Sequence, residues 1–122
     1  MQLILIAAAG ALGSVLRYLV SRAAQPLGGI TFPAGTLAVN ISGALLIGFL
    51  ATYLLERSTV SADVRRTVII GMLGAYTTFS AFSLETLELL DAGEWWYAAL
   101  NVLLSVGGAL LAVWLGQTLA RA

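Results

Sequence analysis

The chain contains no cysteine and no histidine. Disulfides, thiolate chemistry, the commonest zinc ligands and the usual general base near neutral pH are therefore all missing. Charge is sparse as well, since Asp, Glu, Lys and Arg make up 10% of 122 residues where a soluble domain carries about a quarter. There is no soluble linker, low-complexity tract or clear internal repeat, so the pseudo-symmetry common in transporters would have to come from oligomerisation. These absences argue against an enzyme and against a nucleic-acid partner.

What is present is apolar, with 60% hydrophobic residues. Four runs, about 3–21, 34–55, 67–90 and 95–119, each meet the ~20 residues a helix needs to cross a bilayer. The expectation is an all-α integral membrane protein, one four-helix domain over residues 1–122. The start, Met-Gln-Leu, carries no basic side chain, and the first run is long and keeps an arginine, so it is expected to stay in the mature protein. Short connections separate the runs: QPLGGITFP at 25–33, ERSTVSAD at 56–63 and DAGEW at 91–95. Ser61 or Asp63 can cap the third helix, Gly93 suits a left-handed cap after it, and Pro33 suits the first turn of the second. Trp95, Trp96 and Tyr97 read as an interfacial belt.

An even number of spans puts both termini on one side together with Arg57, Arg65, Arg66 and Arg121, against Arg17 and Arg22 on the other. Four against two leans toward cytoplasmic termini by the positive-inside rule and leaves the orientation open.

The polar residues inside the spans fall on helical faces. Gly10, Gly13, Ser14 and Arg17 share one face of the first helix, as a close packing site with Arg17 snorkelling or on a carbonyl, or as an anion-attracting vestibule. Thr36, Asn40 and Gly43 form a stripe on the second. The Asn40 amide has two N–H donors, which suit a dehydrated anion and equally an interhelical hydrogen bond. In the third span Gly71 and Gly74 precede Thr77 and Thr78, and this run of weak helix formers predicts either a break or a tight packing site. A break exposes carbonyls and N–H groups and is tolerated only under cover of protein or water.

The segment GAYTTFSAFS, residues 74–83, brings five hydroxyls into this apolar span. Polar groups in hydrocarbon need water, protein or a ligand. On a helical wheel Phe79 and Phe82 point together, flanked by Ser80 and Ser83 on one side and Thr78 and Glu85 on the other, with Thr86 between the rings and Ala81, Leu84 and Leu87 opposite. The wheel thus turns the phenylalanines away from lipid. Ring edges are positive, so two edges beside hydroxyls attract a small anion, although paired phenylalanines also serve simple packing. Glu85 is the one carboxylate well inside a span, a candidate proton carrier or guard of a pore mouth. Asn101, Ser105 and Gly108 repeat the small-polar pattern on the fourth helix.

Taken together, GSVLRY, GTLAVN, GAYTTFSAFS and ALNVLL resemble the CrcB/Fluc family of small fluoride channels over essentially the whole chain. The resemblance implies four-span subunits with a broken third helix, paired as an antiparallel, dual-topology dimer with two pores along its interface. It implies a multi-pass protein of the plasma (inner) membrane that exports fluoride passively from the cytoplasm and confers fluoride resistance, with no enzymatic activity. Carried over residue by residue, Asn40 would donate to fluoride, Phe79 and Phe82 would present ring edges, and Thr78, Ser80 and Ser83 would line a polar track with Glu85 further along. The backbone carbonyls of Gly74 and Thr77 from both subunits would hold a structural sodium ion at the dimer centre. The implied partners are fluoride, membrane lipid and a second copy, and the arginine asymmetry leaves room for a related chain in a heterodimer. Two positions depart from the family pattern: Ala75, more often glycine, and Ala81, more often threonine. Neither removes a named ligand. The rival readings are a small proton-coupled multidrug-type transporter, for which Arg17 stands where an acid is expected, and a non-transporting membrane interaction subunit.

Overall fold

The computed structural model describes residues 1–56 and 59–122, and every regular element in it is helical. Arg57, one of the four arginines counted on the side of the termini, lies outside the described residues. Helix α1 (Gln2–Ala24) runs into a 3-10 turn, Gln25–Gly28, opened by Pro26. Helix α2 spans Ala34–Glu56. The third span is composite: Ala62–Arg66 is α-helical, Thr67–Leu73 π-helical and Gly74–Tyr76 α-helical again. This rod, residues 62–76, is α3. Thr77 and Thr78 are extended, and the chain resumes as α4 (Phe79–Asp91) before α5 (Trp95–Arg121).

Four stretches, Gln2–Gly28, Ala34–Glu56, Ala62–Asp91 and Trp95–Arg121, are long and apolar enough to cross a membrane. The third begins at residue 62 and not at 67, because Ser61 caps it: the Ser61 Oγ accepts the Val64 N–H at 3.3 Å, and the polar first turn escapes a hydropathy count. Its end is set by Gly93, whose φ of +77° is the left-handed geometry that glycine adopts without strain. Asp63 in the first turn and Arg65 and Arg66 in the last complement the peptide dipoles of the short Ala62–Arg66 segment.

Lipid tails are as apolar as leucine, so helices in a bilayer associate through close van der Waals contact. Glycines set that approach here. A Cβ on Gly48 of α2 would lie 2.3 Å from the Val113 carbonyl oxygen, and one on Gly116 of α5 would lie 2.2 Å from that of Leu45. The α1 and α3 rods meet in the same manner, with a Gly13 Cβ falling 2.2 Å from the Met72 carbonyl oxygen. The largest fully buried side chains, Val39, Leu73 and Asn101, come one each from α2, α3 and α5. Leu103 and Trp114 on the outer face of α5 remain exposed, as an apolar surface toward lipid requires.

The π-helical stretch was not expected. It begins where the Thr67 hydroxyl donates to the Asp63 carbonyl at 2.8 Å, a side-chain bond that competes with the α-helical ladder and bends helices. It ends beside α1, where a Cβ on Gly71 would sit 3.0 Å from the Ala9 methyl and 3.1 Å from the Ile6 carbonyl oxygen.

Replacing Gly116 by alanine should press a methyl group into α2 backbone and destabilise the bundle by about 1–3 kcal/mol, the usual range for overpacking. Thermal unfolding of the purified protein in detergent measures this, and an unaltered melting temperature would show that α2 and α5 can separate freely at this point.

Candidate functional site

The break between α3 and α4 organises the site. Two adjacent threonines divide the work. Thr77 closes α3, its N–H and its hydroxyl both donating to the Leu73 carbonyl at 3.1 Å. Thr78 opens α4 as its N-cap, with extended φ −151° and ψ 109° and a hydroxyl that accepts the Ala81 N–H at 3.2 Å. Threonine suits such a cap because its oxygen satisfies an N–H that has no carbonyl four residues back.

The Thr78 backbone is held from α2. Its N–H donates to Asn40 Oδ1 at 2.8 Å and its carbonyl accepts from Asn40 Nδ2 at 2.9 Å. The carboxamide thus stands in for a neighbouring peptide group. One of the two Nδ2 protons is used in this way, which leaves a second donor on the same nitrogen. Gly43, one turn along α2, provides the room: a Cβ there would lie 2.3 Å from the Thr77 methyl and 3.1 Å from the Tyr76 ring. Tyr76 is buried, and its hydroxyl sits 2.7 Å from Ser42 Oγ.

Asn40, Thr77, Thr78, Phe79 and Phe82 line one cavity of about 380 Å³, closed on the α5 side by Ser105, Val106, Ala109 and Leu110. The two rings lie 5.3 Å apart at a tilt of 54°, an arrangement that turns ring edges toward neighbours. Their burial differs. Phe82 is 8% exposed, but Phe79 is 76% exposed on the single chain, so the wheel's expectation that both avoid the surface holds for Phe82 alone. The α4 N-terminus adds the partial positive charge of its first-turn amides to this cavity wall.

A second cavity of about 870 Å³ opens on the other side of Thr78, which lines both. Its walls include Ser14, Arg17, Arg22, Thr36 and Glu85, so two arginines and one glutamate share it. Glu85 is tied to α2 by the Thr36 hydroxyl, which donates to Oε1 at 2.6 Å, whereas its Oε2 is buried and has no partner among the described residues.

Not all the residues singled out by sequence converge. Ser80 and Ser83 line neither cavity. The Ser80 hydroxyl lies 3.2 Å from that of Thr78, while Ser83 donates to the Phe79 carbonyl at 2.9 Å. A serine inside a helix readily bonds the carbonyl four residues back, and this draws Ser83 out of a continuous hydroxyl row. The carbonyls of Gly74 and Thr77 are released by the break: the Thr78 N–H, four residues on from Gly74, goes to Asn40, and Thr77 belongs to neither helix. Gly74 is exposed on the surface of the chain. Sequence reasoning missed the capping role of Thr78, although a threonine followed three residues later by a helical N–H is its signal. It also missed the Ser42 and Tyr76 pair.

A family model described as "CrcB-like protein, Camphor Resistance (CrcB)" matches residues 4–117. The chain belongs to the CrcB family. Similar proteins carry the name "Fluoride-specific ion channel FluC". The one from Methylococcus capsulatus is 50% identical over 121 residues, covering 99% of this chain and 53% of that protein, so the chain spans about half of that relative's length. The one from Rhizobium meliloti is 47% identical over 121 residues, with 99% and 97% covered. That of Coxiella burnetii is 47% identical over 122 residues, with 99% and 98% covered. With CrcB membership and its spanning helices, this is a multi-pass membrane protein.

In this CrcB chain the Asn40 clamp has a direct test. Asn40→Asp keeps an acceptor for the Thr78 N–H but sets a carboxylate oxygen against the Thr78 carbonyl, and should cost about 1–3 kcal/mol of stability through the stranded carbonyl. An unchanged melting temperature for purified Asn40→Asp would mean that the break stands without the clamp.

Proposed function

We propose that the chain is a fluoride-selective ion channel subunit that lets fluoride leave the cytoplasm passively across the inner membrane, giving fluoride resistance without enzymatic chemistry. The observation that carries the reading is the convergence of the Asn40 amide, the Phe79 and Phe82 rings and Thr78 on one cavity at a helix break. Fluoride is a compact anion and a strong hydrogen-bond acceptor. To shed water inside a bilayer it needs donors and positive potential, and the site offers an amide N–H, ring edges and the first turn of α4. The vestibule with Arg17 and Arg22 raises the local concentration of anions, and Thr78 joins it to the cavity. Thr36 and Glu85 stand on the vestibule side of that path.

Hydrogen fluoride crosses membranes uncharged and dissociates in a more alkaline cytoplasm. An open anion path under a potential negative inside then favours exit with no other energy source.

The working unit in this reading is an antiparallel dimer of two copies, or of this chain with a related one, with pores along the interface. Exposed Phe79 and exposed Gly74 support it, as both belong to the site and neither is covered by its own chain. The residues also fit a structural sodium ion. Carbonyls of Gly74 and Thr77, freed from the helical ladders, are hard oxygen donors of the kind alkali cations accept. Sodium would supply fixed positive charge at the centre of the dimer. The chain's own part is to keep those carbonyls out of helical bonding through Asn40.

Liposomes loaded with potassium fluoride and treated with valinomycin should release fluoride rapidly while matched chloride liposomes do not, as followed with ion-selective electrodes. Absence of fluoride efflux from verified dimers would overturn the channel reading. Phe79→Ile and Phe82→Ile should each lower fluoride flux with the dimer intact, and full flux in both would remove the rings from the pathway. Exchange of sodium for N-methylglucamine should lower the melting temperature of the dimer, and equal melting in the two solutions would count against the cation site.

A further inference from the structure

Behind the Phe82 side of the cavity lies a chain of hydrogen bonds to which neither the cavity lining nor the break assigns a role. Asn101 of α5 is 1% exposed. Its Nδ2 donates to Thr86 Oγ1 at 2.9 Å, and the Thr86 hydroxyl in turn donates to the Phe82 carbonyl at 2.7 Å. On the other side, the Ser105 hydroxyl donates to Asn101 Oδ1 at 3.3 Å. Among the described residues, the bond from Asn101 to Thr86 is the one side-chain hydrogen bond joining α4 to α5.

We infer that Asn101 is a positioning residue for the anion pathway: it locks the Phe82 turn of α4 to the Ser105 turn of α5 and sets which atoms of Ser105 the cavity meets. The inference rests on the channel reading above.

A serine hydroxyl has one proton, and here it points to Asn101 Oδ1. This bond fixes where the Ser105 oxygen stands in the cavity wall. At 3.3 Å the bond is longer than the usual hydroxyl range of about 2.5–3.0 Å and therefore weak, so the proton can rotate away from Asn101 toward an anion at small cost. Asn101 thus keeps Ser105 in a defined rotor state without trapping its proton. At its other end the amide nitrogen fills the acceptor site of Thr86, whose own proton is already on the Phe82 carbonyl. The Phe82 turn of α4 cannot slide past α5 without stretching this series of bonds. The network affects the anion through Ser105 and Phe82, and Asn101 itself does not line the cavity.

Two substitutions open the network at different bonds. Asn101→Leu removes both of the amide's bonds at similar size, and Thr86→Val removes the hydroxyl with near-identical shape. Each should raise the fluoride concentration that gives half-maximal efflux by roughly 3- to 10-fold, the factor spanned by one net hydrogen bond, with maximal flux per dimer retained. Thr86→Ser restores the hydroxyl and should restore the wild-type half-saturating concentration. Because Asn101→Leu can fail to fold, Thr86→Val with its serine partner carries the test alone if needed. Wild-type half-saturation in Thr86→Val overturns the inference. So does a fall in maximal flux with half-saturation unchanged, since that is the mark of fewer folded channels. A wild-type protein without fluoride flux is a different failure, which removes the channel reading and this inference with it.

Discussion

Two hydrogen bonds between the Asn40 carboxamide and the Thr78 backbone, at 2.8 and 2.9 Å, hold apart the halves of the third span. An extended residue within a bilayer strands one N–H and one carbonyl, at about 2–7 kcal/mol for each group left without a partner. A carboxamide is the side chain that answers both, since it presents an acceptor and a donor in one plane, as an adjoining strand would. With Thr78 fixed, its hydroxyl is free to cap α4, and α4 starts anew with its first-turn amides and both phenylalanines directed by that cap. Removing the clamp would favour closing the gap into a continuous helix, in which Gly74 and Thr77 would lose their released carbonyls.

The clamp in turn depends on how closely α2 can approach. A side chain at Gly43 would collide with Thr77, and Tyr76 just before the break is anchored through its hydroxyl to Ser42. The same helix face reaches Glu85 through Thr36, one turn before Asn40. Thus one stripe on α2 serves three purposes at successive turns: it ties the carboxylate, clamps the break and admits the threonine methyl. Such a stripe must be small and polar together. A larger side chain at Gly43 would run into Thr77 and Tyr76.

The parts of this arrangement that were legible in the sequence are those carried by residue type. Long apolar runs gave the spans, and weak helix formers ahead of Thr77 and Thr78 gave the break. The stripe of Thr36, Asn40 and Gly43 was visible at helical spacing, but whether Asn40 served an anion or another helix was not, and its geometry answers that one donor is already spent on Thr78. The π-helical turn at Thr67–Leu73 was illegible because adding one residue to a turn leaves hydropathy unchanged. Ser83 looked like a member of a hydroxyl row because a wheel gives direction only. Its bond to Phe79 depends on which acceptor is nearer, and inside a helix that is the carbonyl four residues back. The unequal burial of Phe79 and Phe82 was beyond reach for a related reason: a wheel shows a shared direction, not what stands opposite.

That inequality bears on assembly. One chain presents Phe79 and Gly74, whose carbonyl the break releases, on its surface near the middle of a span, where lipid tails offer no donor. Lipid can cover the ring but cannot satisfy the carbonyl. A second copy in the opposite orientation, related by an axis in the membrane plane, would cover both, because the break lies near mid-span and the axis would bring like segments together. It would also bring carbonyl oxygens toward carbonyl oxygens, and their dipoles repel. A cation between them turns that repulsion into coordination. The proposed antiparallel pairing and the proposed sodium site are therefore one hypothesis: the pairing creates the oxygen cluster, and the ion makes the cluster tolerable in a medium that would otherwise oppose it.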